Sequence, residues 1–416
     1  MAVKPGYKQT EVGVIPEDWQ VSTLQDACRE PITYGIVQCG PHLSTGIPYI
    51  RVSDMDEPEL DVGQMLRTSP AIAARFVRST VKEGDLVYAL RGKLGEVRQV
   101  RAEVAGANLT QGTARLSPGE EIVSDYFVWA MRNPRTVRQA EIEAKGTTFR
   151  EITLADLRKV RILIPPPPEQ RAIATGLTDI DTLLGALERL IAKKRDLKQG
   201  AMQQLLTGQA RLPGFYGDWQ VRVLGDLISS CSSGATPRRD RPDFYKGDVR
   251  WITSGELNYN IITDTVEKIT SEAVAKTNLK VIPKGTFLMA ITGLEAAGTR
   301  GSCAIVGEPS TTNQSCMAIF PTSELLTEYL FHYYVFRGDA LALQYCQGSK
   351  QQSYTAKLVR KLPISVPPTT EEQAAIATVL SDMDAELVAL EQRLTKTRAL
   401  KQGMMQELLT GRTRLA

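Results

Sequence analysis

The chain has 416 residues, 42% hydrophobic and 23% charged, with a net charge of +3 at pH 7. This length predicts two or three globular domains, and so small a charge argues against a protein that holds nucleic acid by general electrostatics alone. No stretch approaches the roughly 18 apolar residues of a membrane span, and the N-terminus lacks a signal-peptide core. We therefore expect a cytoplasmic protein that does not bind membranes.

Cysteine and histidine usage argues against a metal site. The six cysteines include no CxxC pair, and the only histidines are His42 and His332. A structural zinc site needs four suitably spaced ligands, which this set does not supply. We expect reduced structural thiols and no metal.

Residues 1–164 have the pattern of an α+β domain. A turn-rich opening is followed by short alternating apolar runs, such as IPYIRVSDM and GDLVYALRG, whose spacing suits several short strands. Residues 124–144 predict a helix interrupted near Asn133-Pro134, and residues 153–159 predict a short helix before the strand RILIP. This mixture fits an α+β domain better than an open parallel sheet with alternating helices.

Residues 165–212 form a segment that recurs at residues 366–416. From Glu169 the copies align without a gap at an offset of 203, and about 27 of 44 aligned positions are identical. Each copy starts after prolines and ends at a glycine, Gly208 or Gly411, where a helix C-terminus is expected. About 39 residues at 1.5 Å each would give a helical rod of roughly 58 Å.

Apolar residues follow a 4-3-4-3-4 spacing in both copies, which predicts the seam of a coiled coil. The partner most readily available to so long an apolar seam is the other copy in the same chain, paired antiparallel. Helices packed separately on globular cores would, however, show a similar pattern. Identity at exposed-type positions favours two equivalent partner-binding surfaces. The seam residues are Ile173, Leu177, Ile180, Leu184, Leu187 and Ile191 in the first copy, and Ile376, Leu380, Met383, Leu387, Leu390 and Leu394 in the second.

Residues 213–365 repeat the first domain in outline. The opening DWQV recurs at an offset of 200, and we pair residues 47–55 with 249–257, 84–92 with 285–293, Asn108 with Asn313 and Tyr126 with Tyr329. The strands match while the loops do not. The fold class is therefore α+β, with two similar domains separated by two long helices that form an antiparallel coiled coil, in a pseudo-two-fold internal repeat. One scaffold kept twice with different loops suits a protein that reads two different things.

Catalytic motifs are missing from the sequence. It has no P-loop, no N-P-P-[FY] or D-P-P-Y methyltransferase tetrad, and no nuclease motif in a plausible setting. We therefore expect a non-enzymatic chain.

The repeated rod starts IPPP-x-EQ-x-x-I and VPP-x-x-EEQ-x-x-I, the rod ends KQG…LLTG, the repeated DWQV and the stretch at 232–257 resemble the specificity subunit of type I restriction-modification systems. The resemblance covers essentially the whole chain. It implies that residues 1–164 and 213–365 are target recognition domains, each reading one half of a bipartite duplex DNA target. It also implies that the central (165–212) and C-terminal (366–416) helical regions set the spacer and dock two modification (methyltransferase) subunits, with two restriction subunits in the full complex.

The resemblance further implies that S-adenosylmethionine, ATP and Mg²⁺ belong to those partners and that this chain binds no cofactor. Arg and Lys suit guanine or phosphate and Asn and Gln suit adenine, so polar loop residues are the candidate DNA contacts. In the first domain they are Tyr34, Arg51, Arg91, Lys93, Gln111, Thr147, Thr148 and Arg150. In the second they are Thr236, Arg238, Arg239, Ser254, Thr292, Arg300, Asn313, Gln314, Lys350, Gln351 and Gln352.

Two other functions are compatible with the pattern. An assembly scaffold would use its α+β domains to bind protein. A solitary or inactive specificity protein could serve as a phase-variation cassette or an inhibitor. Divergent loops on a repeated scaffold favour DNA reading, and two full-length halves argue against a truncated cassette.

Overall fold

The structure is a computed structural model that describes residues 4–146, 150–294, 299–346 and 352–415. The chain forms two compact units, Met1–Glu188 with Arg393–Ala416, and Arg189–Gln392. Each unit therefore combines one α+β domain with the start of the long helix that follows it and the end of the other long helix.

The first domain contains eleven short strands and five short helices within the part of it that the structure describes. The strands are β1 (Tyr7–Thr10), β2 (Gly13–Pro16), β3 (Gln20–Thr23), β4 (Thr33–Tyr34), β5 (Ile47–Ile50), β6 (Arg67–Thr68), β7 (Leu86–Ala89), β8 (Val97–Gln99), β9 (Asn108–Leu109), β10 (Thr113–Leu116) and β11 (Arg161–Ile164). The helices are α1 (Leu24–Ala27), α2 (Pro70–Ala74), α3 (Ser124–Arg132), α4 (Pro134–Glu143) and α5 (Leu154–Lys159).

Small sheets organise this domain. The largest has the order β4-β10-β7-β8 and is antiparallel, while β5 pairs antiparallel with β6 and parallel with β9. The predicted helix break is confirmed: Pro134 opens α4, and the Asn133 side chain caps it by accepting from the Arg135 amide at 3.0 Å. The turn-rich opening is a β-hairpin, β1–β2, in register from Tyr7 with Pro16.

The second domain repeats this plan. Its strands are β12 (Gln220–Val223), β13 (Ile228–Ser233), β14 (Val249–Ile252), β15 (Asn260–Ile262), β16 (Lys268–Ile269), β17 (Phe287–Ala290), β18 (Cys303–Val306), β19 (Thr311–Thr312), β20 (Cys316–Pro321) and β21 (Pro363–Val366). Its helices are α7 (Leu224–Leu227), α8 (Ser271–Lys276), α9 (Thr327–Tyr345) and α10 (Ala356–Val359). The main sheet, β13-β20-β17-β18-β15, gains β15 as an extra parallel edge strand, and β16-β14-β19 matches β6-β5-β9.

The first and last strands of each domain lie side by side. In the first domain β3 pairs with β11, and in the second β12 pairs with β21, both antiparallel. Tyr126 then donates to the Leu163 carbonyl at 2.7 Å, and Tyr329 donates to the Ser365 carbonyl at the same distance. The prediction that Tyr126 and Tyr329 occupy equivalent positions is therefore confirmed. In each domain the first and last strands of this pair are adjacent.

The pairing of Asn108 with Asn313 was wrong. The parallel register sets Tyr49 beside Asn108 and Trp251 beside Thr311, so Asn108 matches Thr311 and Thr110 matches Asn313. The loops between the anchor strands differ in length, so one shared asparagine could not fix the alignment.

The two long helices are α6 (Pro167–Leu205) and α11 (Thr370–Leu408), each of 39 residues. The six apolar positions of the first copy are all buried, whereas in the second Met383, Leu390 and Leu394 are half-buried. Both helices end shortly before a glycine of positive φ, Gly208 at 71° and Gly411 at 70°.

Within each unit the helix segments pair antiparallel. In the first unit Lys401 binds Asp181 at 2.5 Å and Arg398 binds Glu188 at 2.6 Å, so the partner number falls as the residue number rises. The second unit repeats both pairs at the offset of 203 with the two helices exchanged: Lys198 with Asp384, and Arg195 with Glu391. This pattern bears out the antiparallel coiled coil and the internal repeat.

An arginine at the end of one helix binds a buried glutamate at the start of the other in each unit, and we call this contact the arginine clasp. In the first unit Arg414 donates Nε and Nη2 to Glu169 at 2.7 and 2.8 Å, and in the second Arg211 donates the same atoms to Glu372 at 2.6 and 2.7 Å. The glutamates are 5% and 1% exposed. Two-point hydrogen bonding is what makes burial of these carboxylates tolerable.

A glutamine next to each clasp ties the long helix to its own domain. Gln170 accepts from the Val123 amide at 2.8 Å and donates to the Glu121 carbonyl at 2.8 Å. Gln373 accepts from the Leu326 amide at 2.9 Å and donates to the Glu324 carbonyl at 2.9 Å. The identity of the EQ dipeptide in both copies therefore has a structural cause.

All six cysteines are free thiols in the structure. Among the described residues, no group of histidine, cysteine and acidic side chains could hold a metal ion. In the part of the chain that the structure describes, no helix is long and apolar enough to cross a membrane.

Candidate nucleic-acid interface

Most candidate DNA contacts of the first domain lie where four strands end next to one another. Backbone bonds join these ends: Ile36 N to Leu109 O at 2.7 Å, Thr110 N to Ile50 O at 3.2 Å, and Leu90 N to Gly112 O at 2.9 Å. Ile152 N donates to Leu90 O at 2.9 Å and adds the segment that follows the undescribed residues 147–149. We call this surface the rim; in the first domain it comprises residues 34–37, 50–53, 90–93, 110–112 and 150–152.

The second domain builds the same rim from equivalent bonds. Ala235 N donates to Thr312 O at 3.1 Å, Asn313 N to Ile252 O at 2.9 Å, and Ile291 N to Ser315 O at 2.9 Å. Tyr354 N donates to Ile291 O at 2.9 Å, as Ile152 does to Leu90. The second rim comprises residues 233–236, 252–255, 291–294, 313–315 and 352–354.

One glycine in each rim permits this close approach of backbones. A Cβ at Gly35 would lie 1.9 Å from the Leu109 carbonyl oxygen, and one at Gly234 would lie 1.8 Å from that of Thr312. No side chain fits at such distances, so the two glycines are equivalent and required. They also fix the alignment of the rims independently of the strand register.

This alignment shows that the rims differ in charge. Arg51, Arg91, Lys93 and Arg150 of the first rim occupy the positions of Thr253, Thr292, Leu294 and Gln352 in the second. Every cation of the first rim is thus replaced by an uncharged residue.

The first-rim cations differ in their availability. Arg51 donates Nη2 and Nε to its own Asp54 at 2.6 and 3.1 Å, and Lys93 binds Asp56 at 2.6 Å. Arg150 donates to the Glu141 carbonyl at 3.1 Å. The Arg91 side chain is exposed and has no hydrogen-bond or ion-pair partner within the described residues, and its guanidinium lies beside Gly112. Its guanidinium donors are therefore not committed to another side chain, which makes Arg91 the strongest candidate for a DNA contact among the cations of this rim.

Arginines of the second domain lie beside the rim and are held by acids. Arg238 forms two bonds with Asp240 at 3.0 and 2.5 Å, and Arg239 forms two with Glu267 at 2.6 and 2.8 Å. Arg239 also stacks over Tyr245, 4.3 Å from the ring centroid. The hydrogen bonds that Arg239 donates to Glu267 lower the pKa of the Glu267 carboxyl and raise the pKa of the Arg239 guanidinium.

Arg241 is a neighbouring cation that the sequence analysis missed. It forms two bonds with Asp243 at 2.9 and 2.6 Å and lies 4.5 Å from the centroid of the Phe244 ring. The run RRDR at 238–241 was the available signal. Arg300, a candidate from the sequence, binds Asp339 at 2.9 Å.

The remaining candidates of the second rim are uncharged. Thr236 donates to the Gln314 side-chain oxygen at 2.5 Å, and the Asn313 side-chain oxygen accepts from the Ser315 amide at 3.0 Å. Ser254 opens a short 3-10 helix, and Thr292 bridges to Ser353 as Arg91 bridges to Glu151.

Other candidates are exposed, partly enclosed or outside the description. In the first rim Tyr34 is 37% exposed and Gln111 is exposed as well. The Gln352 side-chain oxygen of the second rim is buried and without a partner among the described residues. Thr147, Thr148, Lys350 and Gln351 lie outside the described residues.

Comparison with known proteins identifies the family. The family model described as "Type I restriction modification DNA specificity domain" matches twice, at residues 16–195 and 216–399. The chain therefore belongs to the type I restriction-modification DNA specificity family. Each match contains one domain, one rim and most of the long helix that follows.

Curated relatives include the type I restriction enzyme EcoBI specificity subunit of Escherichia coli, 26% identical over 230 residues, 53% of this chain and 47% of that protein. The MjaIX specificity subunit of Methanocaldococcus jannaschii is 33% identical over 174 residues, 40% of this chain and 38% of that protein. These two matches thus span half or less of each relative. The putative MjaX specificity subunit of the same organism is 22% identical and matches over 98% of this chain and 97% of its own.

A solved structure shares the fold over nearly the full length. The type I restriction-modification S subunit from M. genitalium has a TM-score of 0.59 and 15% identity, covering 97% of this chain and 98% of that chain. A chain from a structure of type I restriction-modification complex assembly has a TM-score of 0.55 and 16% identity, covering 95% of this chain and 99% of its own. At these identities the likeness concerns the fold.

Proposed function

We propose that the chain is the DNA-reading, non-catalytic subunit of a type I restriction-modification complex, and that each rim reads one half of a bipartite duplex target. One observation carries this proposal: two rims share their backbone bonds and their glycine while their polar side chains differ. A backbone kept constant under different hydrogen-bonding groups is what reading two different base sequences requires. Methyl transfer and cleavage, with S-adenosylmethionine, ATP and Mg²⁺, then belong to partner subunits.

The paired first and last strands of each domain suggest a direct test. Residues 20–164 can be replaced by residues 220–366 at the strands β3, β11, β12 and β21, giving a chain with two copies of the second domain. The chain would be co-expressed with the methyltransferase subunit of its own host, and bound duplexes would be selected from a randomised library. We expect the target to contain the second half-site twice and to lose the first.

A target unchanged by this exchange would contradict the assignment of one half-site to each domain. Failure of the unmodified complex to enrich any sequence would contradict DNA reading itself and favour an assembly scaffold.

We further propose that the long helices dock the modification subunits. Gly200 and Gly403 are exposed, identical in both copies and inside helices, where glycine costs about 1 kcal/mol relative to alanine. A Cβ at either position would meet nothing within 4 Å, so the chain itself does not require glycine there. Close approach by another subunit would explain both glycines.

The double variant Gly200→Ala, Gly403→Ala separates the effect of these glycines on the stability of the chain from their effect on docking. It should stabilise the isolated chain by about 1 kcal/mol per site and weaken its association with the methyltransferase subunit, measured by thermal unfolding and by titration calorimetry. Alanine at Gln199 and Gln402, exposed neighbours in both copies, serves as the control. Undiminished association of the glycine variant would contradict docking at these glycines.

We also propose that the same helices set the length of the unread spacer between the half-sites. Four residues added between Leu206 and Pro213, just beyond the end of α6 at Leu205, add about 6 Å if they extend the helix by one turn. At roughly 3.4 Å per base pair, the spacer found by sequencing the methylated sites should then be longer by about one or two base pairs. An unchanged spacer would contradict this.

A further inference from the structure

Both rims carry a glutamine at the same position, but their surroundings differ. Gln111 and Gln314 each follow the residue that bonds to the end of β5 or β14, and both are exposed. In the second rim the Thr236 hydroxyl donates to the Gln314 side-chain oxygen at 2.5 Å. The position equivalent to Thr236 in the first rim is Val37, which is 50% exposed and has no hydroxyl to offer. Thus the Gln314 side chain is held by a hydroxyl, whereas the Gln111 side chain has no hydrogen-bond partner among the described residues.

We infer that Thr236 is a positioning residue that presets Gln314 to read an adenine in the second half-site. This inference rests on the proposed function. It also changes the part given to Thr236, which the sequence suggested as a DNA contact of its own.

The hydrogen-bonding groups that remain on Gln314 match adenine. The hydroxyl of Thr236 uses one lone pair of the amide oxygen, leaving the second to accept from adenine N6. The amide nitrogen has no partner among the described residues and can donate to adenine N7. This acceptor and donor pair is the bidentate pattern by which glutamine recognises adenine in the major groove.

The hydrogen bond from Thr236 restricts Gln314 to fewer conformations before DNA binds, so that Gln314 loses less conformational entropy on binding. A free glutamine loses rotamer entropy when it is fixed against a base, and its amide can present either end. The bond from Thr236 limits rotation of the Gln314 amide before DNA arrives. The benefit is specific to the correct base, because a braced glutamine cannot turn its amide to suit another one.

The neighbouring polar side chains are enclosed or already engaged. The side-chain oxygen of Gln352, the other glutamine of this rim, is buried. The Asn313 side chain is engaged with the Ser315 amide at 3.0 Å, and Arg238 and Arg239 are each held by an acid with two bonds. Gln314 keeps its donor free on an exposed, backbone-anchored turn, so its orientation has direct consequences for base selection.

The test compares Thr236→Val, which removes the hydroxyl and keeps the shape, with Thr236→Ser, which keeps the hydroxyl. Gln314→Ala identifies the base position concerned. Each full-length variant is co-expressed with the methyltransferase subunit of its host, and duplexes are selected from a randomised library. The readout is the base frequency at every position of both half-sites.

We expect Thr236→Val to lower the adenine preference about two- to tenfold at one position of the second half-site, the range of one modest hydrogen bond. Gln314→Ala should abolish the preference at that position, Thr236→Ser should retain it, and the first half-site should not change. A purely structural role would instead weaken binding without altering base preference.

An unchanged profile in Thr236→Val, or relaxation at a position other than the one affected by Gln314→Ala, would overturn the inference. So would relaxation of both half-sites. If the wild-type complex selects a bipartite sequence in the same experiment, the proposed function holds whatever these variants show. Failure of the role inferred for Thr236 can therefore be distinguished from failure of the proposed function.

Discussion

The two rims share one backbone but take their chemistry from different side chains. The first carries four cations, of which Arg91 has no side-chain partner among the described residues, and the second carries threonine, leucine and glutamine at the same four positions. In the second domain arginines lie instead in the adjacent 238–241 segment, where they form ion pairs with Asp240, Glu267 and Asp243. A conserved frame thus allows charge to be relocated without disturbing the fold.

The two arginine clasps, unlike the rims, have the same side chains and nearly the same geometry in both units. They differ in the groups beside them: Arg414 also donates to Asp18 at 3.0 and 2.7 Å, whereas Arg211 donates to the carbonyls of Gly217 and Tyr216, and the neighbouring tryptophans differ as well. Trp19 donates its indole N–H to Glu169 at 2.9 Å, whereas the indole nitrogen of Trp219 is buried without a partner among the described residues. The backbone amide of Leu415 also approaches Glu169, at 3.3 Å. The Glu169 carboxylate thus has two donors besides its arginine, whereas among the described residues only Arg211 donates to the Glu372 carboxylate.

The largest effect should come from removing the second clasp. Arg211→Ala leaves Glu372, 1% exposed, without its two-point partner and should destabilise the second unit by about 3–5 kcal/mol. Arg414→Ala should cost less, about 2 kcal/mol, because Trp19 still donates to Glu169. Urea unfolding gives the magnitudes, and hydrogen exchange shows which unit loosens.

A matched control is Arg398→Ala, which breaks the exposed pair with Glu188 and should cost no more than about 1 kcal/mol. Equal effects of Arg211→Ala and Arg398→Ala would mean that the clasp does not stabilise the unit.

The next effect concerns the charge difference between the rims. Arg91→Ala should weaken discrimination of one guanine in the first half-site by about 1–3 kcal/mol, whereas Thr292→Ala at the equivalent position should leave the second half-site nearly unchanged. Arg91→Lys keeps the charge but loses the fork, so it should not restore discrimination. Base frequencies selected from a randomised duplex library measure this.

Full recovery with Arg91→Lys, together with a loss that is uniform across sequences, would instead assign Arg91 to a phosphate. A salt slope reduced by about one would accompany that outcome.

The sequence predicts the long helices well because their signal is local and redundant. Both are 39 residues long, as expected, and the break at Asn133-Pro134 follows from proline and cap chemistry. Register across the sheets is not local. The mistaken pairing of Asn108 with Asn313 arose because the parallel contacts of β5 with β9 and of β14 with β19 depend on distant segments.

The rims were predictable as regions but not as sites. Position in a loop identified Arg91 and Gln314, yet nothing local shows that Arg239 is held by Glu267, 28 residues further along the chain. The role of Thr236 likewise depends on a contact across 78 residues. Partners distant in sequence decide which polar side chain is free to read a base.

A smaller effect should appear on lowering the pH. Burial lowers the pKa of His332 to about 4, while the equivalent residue of the first domain, Trp129, does not titrate. Because the unfolded chain binds a proton below about pH 6.5 that the folded second unit refuses, that unit should lose about 1–2 kcal/mol between pH 7 and pH 5. His332→Gln should remove this dependence, as measured by urea unfolding at both pH values.

Persistence of the same pH dependence in His332→Gln would show that other groups cause it. Above pH 7 the free energies of unfolding of the wild type and of His332→Gln should differ by a constant amount, because His332 is then unprotonated in both the folded and the unfolded chain.

The smallest effect is a gain of function that sharpens the comparison of the two glutamines. Val37→Thr supplies the first rim with the hydroxyl that Thr236 gives the second, and it should raise the adenine preference at the position read by Gln111 about two- to fivefold, within the range of one exposed hydrogen bond. Stability should change little because Val37 is 50% exposed. The base frequencies of the first half-site measure the effect, and the second half-site serves as the internal control. If Val37→Thr has no effect while Thr236→Val relaxes its own half-site, then the glutamines differ in backbone placement as well as in bracing, and the rims are less equivalent than their hydrogen bonds indicate.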